Sequence, residues 1–113
     1  MTKSERNTIL ETIAHWDRMI DWAKKREKRW MVSRGDMCYD VGENWRGEHC
    51  PLCVKYKADY VCGKCPLLEK YGRCGYGRKN LWLKVHLSET WGTWVKNAEK
   101  FREQIASLLE EAK

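Results

Sequence analysis

Cysteine is the residue whose type and spacing could do chemistry in this chain. Five of its six cysteines fall between Cys50 and Cys74, in CPLCVKYKADYVCGKCPLLEKYGRC. Cys50 and Cys53 make one Cys-x-x-Cys pair and Cys62 and Cys65 a second. Eight residues separate the pairs, and Cys74 follows nine positions after Cys65. A Cys-x-x-Cys turn lets two sulfurs grip one metal ion, at about 2.3 Å each for zinc, and two such turns complete a closed tetrahedral site. Four of these five cysteines are therefore expected to hold a structural Zn2+. Cys50, Cys53, Cys62 and Cys65 are the simplest set, and Cys74 could stand in for Cys62 or Cys65. An iron–sulfur cluster is the rival occupant, because Cys65-Pro66 echoes the Cys-Pro ending of some bacterial ferredoxin runs. Those runs are more compact, which favours zinc. A disulfide framework is the third reading and belongs to exported chains.

The same residues speak for structural rather than catalytic chemistry. His15, His49 and His86 stand apart, none at ligand spacing to another. His49, beside Cys50, could donate a hydrogen bond to a metal ligand. A metal-dependent nuclease would need His, Asp or Asn at a second metal, which His86 and Asn80 alone do not supply. Gly75-Tyr76-Gly77 lacks the strand–helix setting and the Gly-Lys-Ser/Thr ending of a phosphate loop. The reading is therefore not an enzyme. Cys38, twelve residues before the next cysteine, is expected to be a buried structural thiol.

Charge concentrates on the cysteine segment. The chain of 113 residues carries a net +6. Residues 50–84 alone carry +6, against +3 for 1–30, −2 for 31–49 and −1 for 85–113. A zinc ion held by four thiolates is a net −2 unit, so the loaded segment would be nearer about +4. Basic and aromatic side chains interleave there: Lys55, Lys57, Tyr60, Lys64, Arg73, Tyr76, Arg78, Lys79 and Trp82. They form a candidate interaction surface on which cations could meet phosphates and rings could stack on bases. Tyr56 and Tyr60 are expected to cover the metal site.

Two elements must position this segment. Ile9, Ile13, Trp16, Ile20 and Ala23 recur at four-three spacing, with Met19 and Trp22 on the flanks, which predicts one helix over 1–30. Thr2 and Glu5 have capping-box spacing, and the basic run 24–29 suits a helix end. Trp94, Ala98, Phe101, Ile105, Leu108 and Ala112 repeat the rhythm and predict a second helix over 88–113. Between them, 31–49 loses helical period and carries turn glycines, with Trp45 expected to plug the core. Leu81, Leu83, Val85 and Leu87 alternate, which predicts a half-buried strand or an extended approach to the second helix.

The fold expected is mainly α, one domain over 1–113. An antiparallel pair of long helices encloses an irregular cysteine-rich metal module at 31–87. That module would sit across the end of the pair where Trp22 and Trp30 meet Trp91 and Trp94. No apolar run approaches the ~20 residues needed to cross a bilayer, and the first sixteen residues hold no apolar export core. A cytoplasmic location is expected.

The chain resembles a widespread group of small cysteine-rich phage and prophage proteins. The residues that carry the resemblance are HWDRMIDWAK, GENWRGEHCPLC, CGKCPL, YGRC and AEKFREQIASLLEE, which span nearly the whole chain. The group has a Thr-Pro-Tyr-like turn after its last cysteine, where this chain has Gly75-Tyr76-Gly77. The resemblance implies a metal-stabilised phage accessory protein in which Cys74 belongs to the motif. Together with the seven tryptophans and the lack of a catalytic constellation, it makes a host or defence protein the expected partner, and the basic segment makes a nucleic acid the alternative.

Overall fold

The apolar stripe of the first helix decides what the rest of the chain packs on. This computed structural model describes residues 2–57, 65–72 and 79–110. Helix α1 spans Lys3–Lys24 and buries Ile9, Ile13, Trp16, Met19, Ile20 and Ala23. The Thr2 hydroxyl caps it, accepting from the Glu5 backbone N–H at 3.1 Å. Helix α6, Trp91–Glu110, buries Trp91, Trp94, Ala98, Phe101, Ile105 and Leu108. The molecule is mainly helical, with long N- and C-terminal helices and no strand among the described residues.

The two long helices interlock through aromatic rings. Trp16 stacks on Trp94 with centroids 6.1 Å apart and meets Phe101 edge-on at 5.0 Å. Trp22 meets Trp91 edge-on at 5.1 Å. The Arg102 guanidinium forks onto Asp17, at 3.0 Å and 3.5 Å. Such ring pairs contribute about 0.5–1.5 kcal/mol beyond the area they bury.

Helix α1 ends at Lys24 rather than at residue 30. Lys25 and Arg26 already donate to the carbonyls of Trp22 and Ala23, three residues back, so the last turn tightens and stops. The loop that follows has a task of its own. The carbonyls of Lys28 and Trp30 accept from the backbone N–H groups of Gly92 and Trp91, at 3.1 and 3.0 Å. The Thr90 hydroxyl accepts from Thr93 N–H. The otherwise unpaired first amides of α6 are thus satisfied by the end of the α1 loop. The approach is close: a Cβ on Gly92 would stand 3.2 Å from Lys28 Cβ and 3.3 Å from its carbonyl oxygen. An isolated bridge between Met31 and Thr90 continues the contact.

Residues 31–87 hold more helix than their pattern suggests. Helix α2 spans Arg34–Val41, although its stretch has no amphipathic period. Ser33 caps it by accepting from Asp36 N–H, and Gly42 ends it at φ +82°. A 3₁₀ turn at Gly47–His49 leads into α3, Pro51–Lys57, and α4 spans Pro66–Tyr71. The expected strand at 81–87 is instead a single helical turn, α5, Trp82–His86. The Asn80 side chain starts it by accepting from Trp82 N–H at 2.9 Å while donating to the Gly72 carbonyl. Only Val85 of its alternating leucine-valine set is buried, and Leu87 is 65% exposed.

The cysteine segment sits away from the Trp22–Trp91 end, contrary to expectation. Lys55 of α3 donates to Ser4 at the start of α1, at 2.7 Å. Tyr71 and Lys70 of α4 hydrogen-bond Ser107 near the end of α6. Trp45, 4% exposed, plugs the core as expected, and its ring lies 5.5 Å from Trp94.

Candidate metal centre

Both described helices of the cysteine segment begin in the same way. Cys50 precedes Pro51 at the start of α3, and Cys65 precedes Pro66 at the start of α4. Proline suits the first helical position, where its missing N–H costs nothing and its fixed φ fits. The Cys50 carbonyl accepts from Val54 N–H and the Cys65 carbonyl from Glu69 N–H, so each cysteine stands at the helix entry. The next residue in each, Leu52 and Leu67, is buried and anchors the entry to the core. The tripeptide Cys-Pro-Leu therefore occurs twice in one structural role.

These entries bring three cysteines to one cavity. Cys50, Cys53 and Cys65 line a space of about 200 Å³ whose walls include Trp16, Trp82 and Phe101. Gly47 lies against Cys53, within 3.5 Å of its Cβ and Sγ for a Cβ built on the glycine. Trp16, which reaches this cavity, has an indole N–H with no acceptor among the described residues. Trp82 closes another side. Its N–H donates to the Trp45 carbonyl at 2.8 Å, and its ring stacks on His86 at 4.9 Å. No group of three metal-ligating side chains at coordination distance occurs among the described residues. Cys62 and Cys74, the other two candidates, lie outside them.

The thiols are coupled. A hydrogen bond with the Cys53 thiol, followed by burial, pushes the Cys50 thiol well above its ordinary range. The backbone N–H groups of Cys53 and Leu52 point at the Cys50 sulfur and pull the other way. The Cys50 thiol therefore resists ionisation beside Cys53. A divalent cation reverses that balance, because a coordinated thiol is deprotonated outright. Backbone N–H groups aimed at a sulfur fit a thiolate ligand, so the donor set suits a thiophilic metal. Cys50, Cys53 and Cys65 are the described residues that could hold it.

The remaining predicted residues fall in several places. Tyr56 is half-buried, and burial, then the charges of Glu5, Cys65 and Glu69, raise its hydroxyl. It packs against the core but does not line the cysteine cavity. Lys55 is engaged with Ser4, and its Nζ stands 5.8 Å from the Tyr56 ring. Lys57 ends α3. Lys79 is exposed, and its carbonyl accepts from Gln104. Tyr60, Lys64, Arg73, Tyr76 and Arg78 lie outside the described residues. Cys38 is half-buried in α2 rather than sealed in the core. His49 stands 3.7 Å from Glu48, directed at a carboxylate.

Two features escaped the sequence reading. One is the repeated Cys-Pro-Leu entry, which the spelling at 50–52 and 65–67 displays directly. The other is His15, 0% exposed inside α1 with its Nδ1 3.0 Å from Glu43 Oε2. That contact is close but poorly aligned, and neither ring nitrogen makes a well-formed hydrogen bond. Glu43 also receives Arg18. No spacing rule could pair residues so far apart in the chain.

No family model, curated protein or solved structure matches this chain.

Proposed function

We propose that this is a small phage-type accessory protein, stabilised by Zn2+, that acts by binding a host or defence protein in the host cytoplasm. The observation that carries the reading is the convergence of Cys50, Cys53 and Cys65 on one cavity against the long helices. Zinc there would supply charge neutralisation for the thiolates and a cross-link between short helices that bury little themselves. An antiparallel α1–α6 pair is part of the proposal. It is supported by the pairings Trp22–Trp91 and Asp17–Arg102, which run in opposite chain directions.

Binding rather than catalysis is supported by how the histidines are used. His15 is buried beside Glu43, and His86 accepts from the Trp45 indole at 3.3 Å. The second reading, nucleic-acid binding through the basic segment, is favoured by the exposure of Lys79. It is weakened at Trp82, whose ring is already stacked on His86.

Metal analysis of the purified chain should return one zinc per molecule. Iron with acid-labile sulfide would replace zinc by a cluster. A pull-down from host lysate after nuclease treatment should retain a specific protein. A bait that retains nothing, or whose partner disappears with nuclease, would overturn the protein-binding reading. Binding to mixed oligonucleotides that falls steeply with salt would establish the alternative.

A further inference from the structure

A second open region lies away from the cysteines. Where the loop after α1 meets the start of α6, a groove of about 540 Å³ runs over Ala23, Trp91 and Val95. Its rim carries Lys24, Arg26, Lys28 and Lys96 against a single carboxylate, Glu99. Lys24 lies 3.9 Å from Glu99. Among the described residues no carboxylate pairs with Arg26, Lys28 or Lys96. Arg26 is held by its guanidinium lying over the Trp22 ring at 4.6 Å, and its Nε is sealed without an acceptor among the described residues.

A second cavity, about 160 Å³, adjoins the first, sharing Arg26 and Trp91 as lining. Three large side chains stand at it in water: Trp30 is 61%, Met31 79% and Tyr39 91% exposed. Asp36 and Asp40 line it as well. Clustered exposed apolar groups of this size mark interaction sites more than chance does, and Trp, Tyr, Met and Arg are the residues enriched at protein interfaces.

We propose that this double groove is the docking site for an acidic segment of a partner polypeptide. The segment's carboxylates meet Arg26, Lys28 and Lys96, and one apolar side chain seats among Trp30, Met31 and Tyr39. The assignment rests on the protein-binding reading above and gives that reading its surface and its partner's chemistry. Charge complementarity selects an acidic ligand for the first groove. The neighbouring aspartates select against a uniform polyanion, since a phosphate backbone crossing both cavities would run onto Asp36 and Asp40. The walls are set in advance: Gly92 packs on Lys28, and the loop carbonyls are tied to α6. Little ordering is then required on binding.

The test uses the full chain and a fluorescein-labelled peptide of glutamates around one leucine, with a single-stranded oligonucleotide as competitor. The peptide should shift the amide resonances of residues 24–31 and 91–96. The double substitution Lys28→Glu with Lys96→Glu should weaken it by about tenfold or more, with an unchanged circular dichroism spectrum because both side chains are exposed. Trp30→Ala should weaken it several-fold, and Lys55→Glu with Lys79→Glu should leave it unaltered. Absence of binding overturns the proposal. So does equal weakening by the Lys55 and Lys79 changes, or an oligonucleotide that displaces the peptide and binds more tightly. A partner captured equally by wild type and by the Lys28/Lys96 variant removes this surface while leaving the protein-binding reading intact. If the wild type captures none, that reading itself falls.

Discussion

The α1–α6 pairing and the segment between Gly47 and Tyr71 are held together by different physics. Across the helix pair, Trp16, Trp94, Phe101 and Ile105 are buried and interlocked ring against ring. In the cysteine segment, the buried leucines among the described side chains are Leu52 of α3 and Leu67 of α4. Their ties to the long helices are polar, Lys55 to Ser4 and Tyr71 to Ser107. A helix pair with a continuous stripe secures its stability from burial. Helices of six or seven residues are too short to do so by themselves. Cysteines concentrate in the second region and tryptophans in the first.

The largest expected effect is at the sulfurs. Structural zinc in small domains contributes on the order of 10 kcal/mol. Chelation or Cys50→Ser should therefore release the segment, with amides of 47–72 losing hydrogen-exchange protection while those of α1 and α6 keep theirs. Equal loss in both regions would show that they are one cooperative unit. A smaller effect is expected in the helix pair. Trp94→Ala should cost about 3–5 kcal/mol in urea denaturation, with metal still bound. A cost below about 1 kcal/mol would mean the aromatic cluster is not the core.

The smallest effect should lie in pH. Burial holds His15 below its ordinary value, aided by Arg18 and His49 and opposed by Glu43. The unfolded chain then binds the proton more readily, so stability is full above about 6.5 and declines as pH falls below it. Burial pushes Glu43 up, but the hydrogen bonds from Arg18 and the close His15 ring outweigh it and hold it low. That contribution is lost at still lower pH, through the carboxylate range. Denaturation midpoints between about pH 7 and pH 5 should drop for the wild type and less for His15→Gln. Equal slopes would remove His15 from the account.

What could be read in advance divides along the same line. Ile9, Ile13, Trp16, Ile20 and Ala23 were legible because burial on one helix face imposes a period. Trp45 was legible because a lone tryptophan among glycines has few other uses. Helix α2 was not, since only Met37 of its residues is buried and no stripe betrays it. Its ends were nonetheless spelled out, in the Ser33–Asp36 cap and the left-handed Gly42. Helix α5 was misread because five residues are too few to separate a period of two from one of 3.6. The side chain that decides between them, Asn80, lies outside the alternating set. At the site, the spacing of the cysteines announced Cys50 and Cys53 as partners. The same spacing put Cys65 in the set, but not the cavity against Trp16 and Phe101 that it shares with Cys50 and Cys53, which depends on how α3 and α4 pack.

The pairing of α1 with α6 also has a consequence in time. Everything from the end of α1 to the start of α6 must be synthesised before the apolar stripe of α1 meets its partner. At roughly 5–20 residues per second, that stripe waits for several seconds on the ribosome. The segment made meanwhile includes α3, which reaches back to Ser4 and places Leu52 in the core. The cysteine segment is thus made, with its own contacts to the first helix, before α6 arrives.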